Sequence, residues 1–352
     1  MSYQDGMAAM NLEMPKRVPR TEYSLEGHWD ALKAITGIGV TIDSPDEVKS
    51  QAQKELWRIW NFDFFWCTNI GNEDFGKWQT NMGHAVYAAG GVDYSPVGTC
   101  PFRTPEEALA FDPREAFPKK DKAELVKWFE DAYRGQCEAH PDGVNMAGIY
   151  TTCLSGLIAI FGWDMLLLAA GVDQKKFGEL TNRYCQWRQW HFDALAQADV
   201  PVVMIHDDMV WTAGPFISPA WYRKYVFPNF KKYFRPLIDS GKKIMFTSDG
   251  NYTEFLDDLV KAGVHGFVME PMTDMALFAE KYGRKKVFVG NADTRILLMG
   301  TKKDIRAEVE RCMNIGKKYP GFFMAVGNHI PPNTPVDSVL YYDEVYKELS
   351  RR

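Results

Sequence analysis

One unit recurs along the second half of the chain: a short apolar run, a turn rich in acids and amides, then an amphipathic helix. The runs are 147–152 (AGIYTT), 201–206 (PVVMIH), 243–248 (KIMFTS), 266–270 (GFVME), 286–290 (KVFVG) and 322–327 (FFMAVG), with an earlier one at 63–68 (DFFWCT). Runs this short, rich in Val, Ile, Phe and Met and bounded by turn residues, read as buried strands. Strands alternating with helices imply parallel pairing through crossover helices. Seven candidates in 352 residues suit a (β/α)8 TIM barrel better than a doubly wound sheet. No G-x-G-x-x-G comes after a strand, so a dinucleotide-binding fold gets no support. The expected architecture is an α/β TIM barrel filling residues 1–352 as a single domain. The loop-rich stretch of about 70–145, with its glycine pair at 90–91 and many prolines, is expected to form an insertion capping the mouth.

Helix starts support this order. Ser44-Pro45 precedes a helix over 46–60, and Thr104-Pro105 and Ser218-Pro219 repeat the signal, the last opening a long helix toward Ile238. Further helices are expected over 253–262, 275–282, 302–318 and 335–349. The apolar stretch 156–171 is interrupted by Asp164 and falls short of the ~20 residues of a membrane span, so a buried helix is expected. With no secretory leader visible, the expectation is a cytoplasmic protein without a membrane partner. The six cysteines form no CxxC pair, which disfavours a disulfide framework or an all-thiolate zinc site. Forty-one Lys and Arg against 46 Asp and Glu leave a net charge of −5 and no basic stripe, which speaks against a nucleic-acid partner.

The functional signal lies in the residues at the end of each strand. PVVMI runs into His206-Asp207-Asp208, KIMF into Thr247-Ser248-Asp249-Gly250-Asn251, GFVM into Glu270, KVFVG into Asn291-Ala292-Asp293, and FFMAVG into Asn328-His329. Five consecutive strands thus deliver acid, imidazole or amide groups to one rim. In a barrel that is the C-terminal face, where catalytic groups sit. Taken singly, each residue reads as well as a turn or helix cap. Asp293 before Thr294 is a cap on this reading, and Asp249-Gly250-Asn251 reads equally as a turn. Asp207-Asp208 and Glu270 are harder to explain so, because carboxylates ending apolar runs are costly without partners. One His and three carboxylates on a rim can supply a general acid or metal ligands. His28, His140 and His265 read as structural. His84 and His191 are weak candidates for the mouth, and the tryptophan-rich 187–192 reads as a buried helix face.

The stretches HDDMVWTAGPFISPAWYRKYVFP, TSDGNYTEFLDDLVKAGVHGFVMEP, VGNADTRILLMGT and GNHIPPNTPVDSVLYY, in that order, together with the opening LEMPKRVPR, resemble the uroporphyrinogen decarboxylase superfamily. That superfamily holds decarboxylases and corrinoid-protein methyltransferases. Two departures bear on the choice between them. The decarboxylases carry Arg-Gln-Ala-Gly-Arg near the N-terminus for the substrate's acidic side chains. The corresponding FWCTNIGNEDFG has no arginine. The thiol-methylating branch carries a zinc motif, His-x-Cys-Gly and a late Cys, where this chain reads Thr247-Ser248-Asp249-Gly250 and Gly327-Asn328.

What the resemblance then implies is a substrate-side methyltransferase of an anaerobic demethylation system. It would move a methyl group from a small methylated substrate, an aromatic methyl ether above all, to the Co(I) of a partner corrinoid protein. The expected catalytic set is His206, Asp207, Asp208, Asp249, Glu270 and His329, one of them protonating or otherwise assisting the leaving oxygen. Trp211, Phe216 and Tyr252 are expected to wall the substrate, with Asn251, Asn291 and Asn328 offering amides. Zinc stays open; if a metal is held, Asp249, Glu270 and His329 are the expected ligands. Whether the chain forms a homodimer also stays open. Two other readings remain: a cofactor-free lyase acting on a carboxylated ring, which needs basic residues at the mouth where Arg223 and Lys224 lie nearest, and a barrel retained only to bind a small molecule.

Overall fold

The computed structural model describes residues 3–22, 24–80 and 99–352, and within 81–98 only the backbone of a small antiparallel hairpin, β1 (Val86–Tyr87) and β2 (Asp93–Tyr94). His84 lies outside the described residues. Six parallel strands stand side by side in chain order: β3 (Ala147–Ile149), β4 (Val202–His206), β5 (Lys243–Thr247), β6 (Gly266–Val268), β7 (Val287–Val289) and β8 (Phe322–Phe323).

Two further staves close the ring. Residues 18–21 bond to the β8 side through Met324 N–H to Pro19 O and Thr21 N–H to Met324 O, and to the next stave through Asp63 N–H to Arg20 O. Residues 62–65 bond onward to the β3 side through Phe65 N–H to Val144 O and Val144 N–H to Asp63 O. The eight-stave barrel expected from the alternation is therefore formed. The stave at 18–21 lies outside the expected strands, because its sequence, Val-Pro-Arg-Thr, is neither an apolar run nor an alternating one.

Two apolar layers hold the barrel. Phe64, Val144, Met146, Val202, Met204, Met245, Val268, Val287, Val289, Phe323 and Ala325 fill its interior. The alternate residues of the same strands, such as Val203, Ile205, Ile244 and Phe246, pack outward under the helices. Helix Tyr3–Met10 stops the N-terminal end, adding Ala9 and Met10 to the interior layer. A Cβ on Gly6 would sit 2.5 Å from Asp63 O, so only glycine lets this helix seat so closely.

The helices form largely where expected, with instructive differences. Asp46–Trp60 and Met275–Tyr282 match. The helix expected from Ser218 divides at Val226 into Pro219–Tyr225 and Phe227–Asp239, where Pro228 enters the second segment's first turn. The apolar helix, Leu154–Val172, is long and apolar enough to cross a membrane by composition, yet most of it is buried against the barrel's other helices. The region 70–145 is only partly a cap. Gly71, Asn72 and Glu73 line the mouth, but Lys122–Ala139 is an ordinary outer helix packed on Gln174–Gln197.

Candidate active site at the barrel mouth

Strand pleating decides which polar residues reach the mouth. Side chains alternate faces along a strand, so the interior phase of β4, Val202 and Met204, continues to His206. The same phase carries Met245 to Thr247 and Asp249, Val268 to Glu270, and Ala325 to Gly327. His206, Thr247, Asp249, Glu270 and Gly327, with Met204 and Val268 beneath them, line an inner cavity of about 330 Å³ together with Trp66, Cys67, Thr68, Tyr150, Asn328 and His329. Above it lies a wider basin of about 840 Å³, sharing Thr68, Tyr150, Asp249, Glu270 and Asn328 and adding Glu73, Ser155, Trp163, Asp208 and Trp211.

His206 and Asp208 form the central pair. The His206 ring stacks on Tyr150, with centroids 3.8 Å apart, and its Nδ1 lies 3.2 Å from the Tyr150 carbonyl oxygen. A carbonyl only accepts, so Nδ1 carries a proton. Nε2 lies 3.0 Å from Asp208 Oδ1, a contact that needs a second proton between them. Burial works to lower the His206 pKa, but Asp208, Asp249 and Asp207 outweigh it, and the value lies above the ordinary 6.5. Asp208 is fixed by its own N–H to Ser155 Oγ (2.6 Å) and by the Asp249 N–H at 3.2 Å from Oδ1.

Glu270 is held differently. Its carboxylate accepts from the Gly250 N–H and from the Asn328 side-chain amide. Gly250, at φ 78°, must be glycine, since a Cβ there would lie 2.6 Å from the Trp211 backbone. His329 Nδ1 lies 2.5 Å from Ser24 Oγ, beside the inner cavity. Trp163, Trp211 and Phe216 form an aromatic flank, with centroids 5.3–5.8 Å apart. Trp211 lines the basin and is 45% exposed.

Several expected site residues lie elsewhere. Asp207 continues the outward phase of Val203 and Ile205. Its Oδ1 accepts from the N–H groups of Cys153 and Ser155 (3.2 and 2.7 Å), anchoring the start of helix Leu154–Val172. Burial pushes its pKa up to about 6, against the pull of those first-turn N–H groups. Tyr252 is fully buried and donates to Val268 O (2.5 Å), so it packs the rim and is no substrate wall. Asn251 accepts from the Thr253 N–H (3.1 Å) as a local turn bond. Asn291, also buried, spans Glu270 O, Thr273 O and Arg311. His191 is tied to Asp74 below the 70–80 loop, its pKa lowered to about 4 chiefly by burial. Among the described residues, no three His, Cys, Asp or Glu side chains converge as metal ligands. Asp249, Glu270 and His329 are thus near one another without composing a zinc site.

The lining also holds residues outside the expected set. Tyr150, Trp66 and Thr68 fit the pleat phase of β3 and of residues 62–65, a signal present in the sequence. Trp163 has no such signal, since its place depends on the break at Gly162 inside the apolar helix.

The profile of the uroporphyrinogen decarboxylase (URO-D) family matches residues 82–349, three quarters of the chain. The chain belongs to the URO-D family. Among curated URO-D relatives, the uroporphyrinogen decarboxylase of Thermus thermophilus is 29% identical over 157 residues, 45% of this chain and 44% of that protein. That of Carboxydothermus hydrogenoformans is 28% identical over 175 residues, 50% and 46% of the two chains. These matches span less than half the length of the relatives. A solved structure of a methyltransferase from Methanosarcina mazei superposes along 99% of both chains with a TM-score of 0.65 at 17% identity, a likeness of fold. Within this URO-D barrel, the lining of both cavities contains no Lys or Arg among the described residues. Arg223, expected as the nearest cation, lies on the outer face paired with Glu254 and Asp258.

Proposed function

We propose that this URO-D family enzyme is a methyltransferase that takes a methyl group from a small substrate, an aromatic methyl ether, for the Co(I) of a partner corrinoid protein. The observation that carries the reading is the 3.0 Å contact of His206 Nε2 with Asp208 Oδ1 at a mouth whose described lining holds no Lys or Arg. The reduced cobalt would supply the nucleophile from outside. A cavity of about 330 Å³ is too small for a corrin ring, while the wider basin has Trp211 and Asp249 exposed on its rim.

The chain's own task is then to orient the ether and let its oxygen leave. Trp163 and Trp211 offer faces and edges for a ring, while Phe216, expected to wall the substrate, packs against them and is in neither lining. His206 Nε2 holds a proton against Asp208, and donation to the departing phenolate contributes roughly 10²–10⁴-fold. Asn328 and the Gly250 N–H fix Glu270 at the boundary of the two cavities. The residues present do not fit zinc, and no step is assigned to a metal.

Family membership favours a second reading, a lyase acting on a carboxylated ring. The lining speaks against it: decarboxylation of a polyanionic substrate asks for cations at the mouth, and carboxylates stand there instead.

The test is release of the free phenol from methoxylated rings in the presence of reduced corrinoid protein. Phenol released in step with the loss of Co(I) absorbance, and slowed about a hundredfold in His206→Gln, is the expected result. Equal rates in wild type and His206→Gln would overturn the role of the proton pair.

A further inference from the structure

We propose that the methyl donor carries a positive charge: an organic ammonium bearing the methylated ring. The inference rests on the reading of the mouth as the substrate site of a methyltransferase, and concerns what that cavity selects.

The basin is lined by four carboxylates, Glu73, Asp208, Asp249 and Glu270, and the inner cavity adds only His206 and His329 as basic groups. Neither lining holds a Lys or Arg among the described residues. The stretch 81–98, NMGHAVYAAGGVDYSPVG, contains neither residue in its sequence. His206 offsets the charge of Asp208, with which it shares a proton. The net charge of the lining is therefore negative. Glu73 accepts from the Gly71 N–H, and Glu270 from the Gly250 N–H and the Asn328 amide, all neutral donors. The guanidinium whose charge interacts with Glu270, Arg295, is outside the lining and is bonded to Asp293 at 2.6 Å.

Carboxylates gathered in a cavity of this kind select by sign. They attract a cationic ligand and repel a carboxylated one. Aromatic rings complete the lining. Trp163 and Trp211 line the basin with Phe216 packed against them, Tyr150 lies between it and the inner cavity, and aromatic faces favour an organic ammonium over a strongly hydrated metal ion. Aromatic walls alone would accept a neutral or anionic ring, and the carboxylates alone would accept any cation. Together they fit a ring with an ammonium group, and they disfavour methoxybenzoates.

The experiment is equilibrium binding to the purified protein, read by calorimetry or quenching of tryptophan fluorescence, with no corrinoid protein present. Three probes share one ring and differ in charge: 4-methoxybenzylammonium, 4-methoxybenzyl alcohol and 4-methoxybenzoate. The ammonium is expected to bind about tenfold more tightly than the alcohol, and the benzoate about tenfold more weakly. The preference should shrink as salt rises. It should also largely disappear in the double variant Glu73→Gln/Asp249→Asn, while binding of the alcohol persists. Benzoate binding as tightly as the ammonium, a charge preference unchanged in the double variant, or no binding of any probe would each overturn the inference. Charge-selective binding without methyl transfer would leave this inference standing and count only against the methyltransferase reading.

Discussion

Two groups of carboxylates in this molecule are treated in opposite ways. Where the 18–21 stave meets the C-terminal helix Val336–Leu349, Glu22, Asp63 and Asp343 are buried, and each is matched by a cation. Arg20 bonds Glu22 and Asp343 at 2.8 and 2.5 Å, Arg17 holds Asp63 at 2.5 Å, and Lys347 adds to Asp343. The Arg20 guanidinium also lies over the rings of Trp60 and Tyr346. At the mouth, Asp208 has His206 as its basic partner, and with Glu73, Asp249 and Glu270 it lines a cavity whose described lining holds no Lys or Arg. A carboxylate that serves structure arrives with its countercharge, because an unpaired buried ion is costly. Carboxylates gathered along an open cavity instead give that cavity a sign, which a ligand or a proton meets on entering.

That contrast sets the scale of the mutational effects. The largest belongs to the matched group. Arg20→Met strands the buried Glu22 and leaves Asp343 with Lys347 alone, and should cost about 3–5 kcal/mol of unfolding free energy, read by urea denaturation; a loss under about 1 kcal/mol would remove the distinction. Next comes the mouth. His206→Gln should lower turnover about a hundredfold while leaving the urea midpoint nearly unchanged. Since the His206 pKa is raised, wild-type turnover should be highest at low pH and fall as pH rises through that value. His206→Gln should show no such fall.

Asp207 is the intermediate case, a buried carboxyl that anchors a helix through backbone N–H groups, with His206 rather than a Lys or Arg as its basic neighbour. Its folded pKa of about 6 lies above its unfolded value near 3.8. The folded state therefore holds the proton more tightly, and stability present below pH ~4 is lost as pH rises through 6. Asp207→Asn keeps an acceptor for the helix N-terminus and should remove this slope, a difference of about 2–3 kcal/mol between about pH 4 and pH 7 in thermal or urea unfolding. The smallest effect is expected on the surface. Breaking the exposed pair of Lys127 and Asp131 with Lys127→Ala should leave the urea midpoint unchanged.

Much of this was legible in the sequence where periodicity spoke. Helices such as Pro105–Ala110, capped by Thr104, and strands such as Val202–His206 announce themselves by capping residues and apolar runs, whereas Ser44 does not cap Asp46–Trp60. The rim was legible as a row of polar strand ends, but its membership was not, because Asp207 and Asp208 differ only by pleat phase. Counting inward from Met204 separates them: His206 continues the interior face, and Asp207 turns out under the helix. The closing stave at 18–21 was hidden because Arg17 before it and Arg20 within it flank a Val-Pro pair, and its side-chain bonding depends on a helix more than 300 residues away. Trp163 reaches the mouth through a helix break that no local pattern marks as directed there.

The central claim is that the proton held by His206 and Asp208 serves methyl transfer at a mouth lined by carboxylates. The most direct measurement gives the same enzyme two substrates in parallel: a methoxylated benzylammonium with reduced corrinoid protein, and a porphyrinogen carboxylate without it. Loss of Co(I) absorbance with equimolar phenol in the first vessel, and no carbon dioxide in the second, is the predicted result. Carbon dioxide released from the porphyrinogen with an unchanged corrinoid spectrum in the first vessel would contradict it.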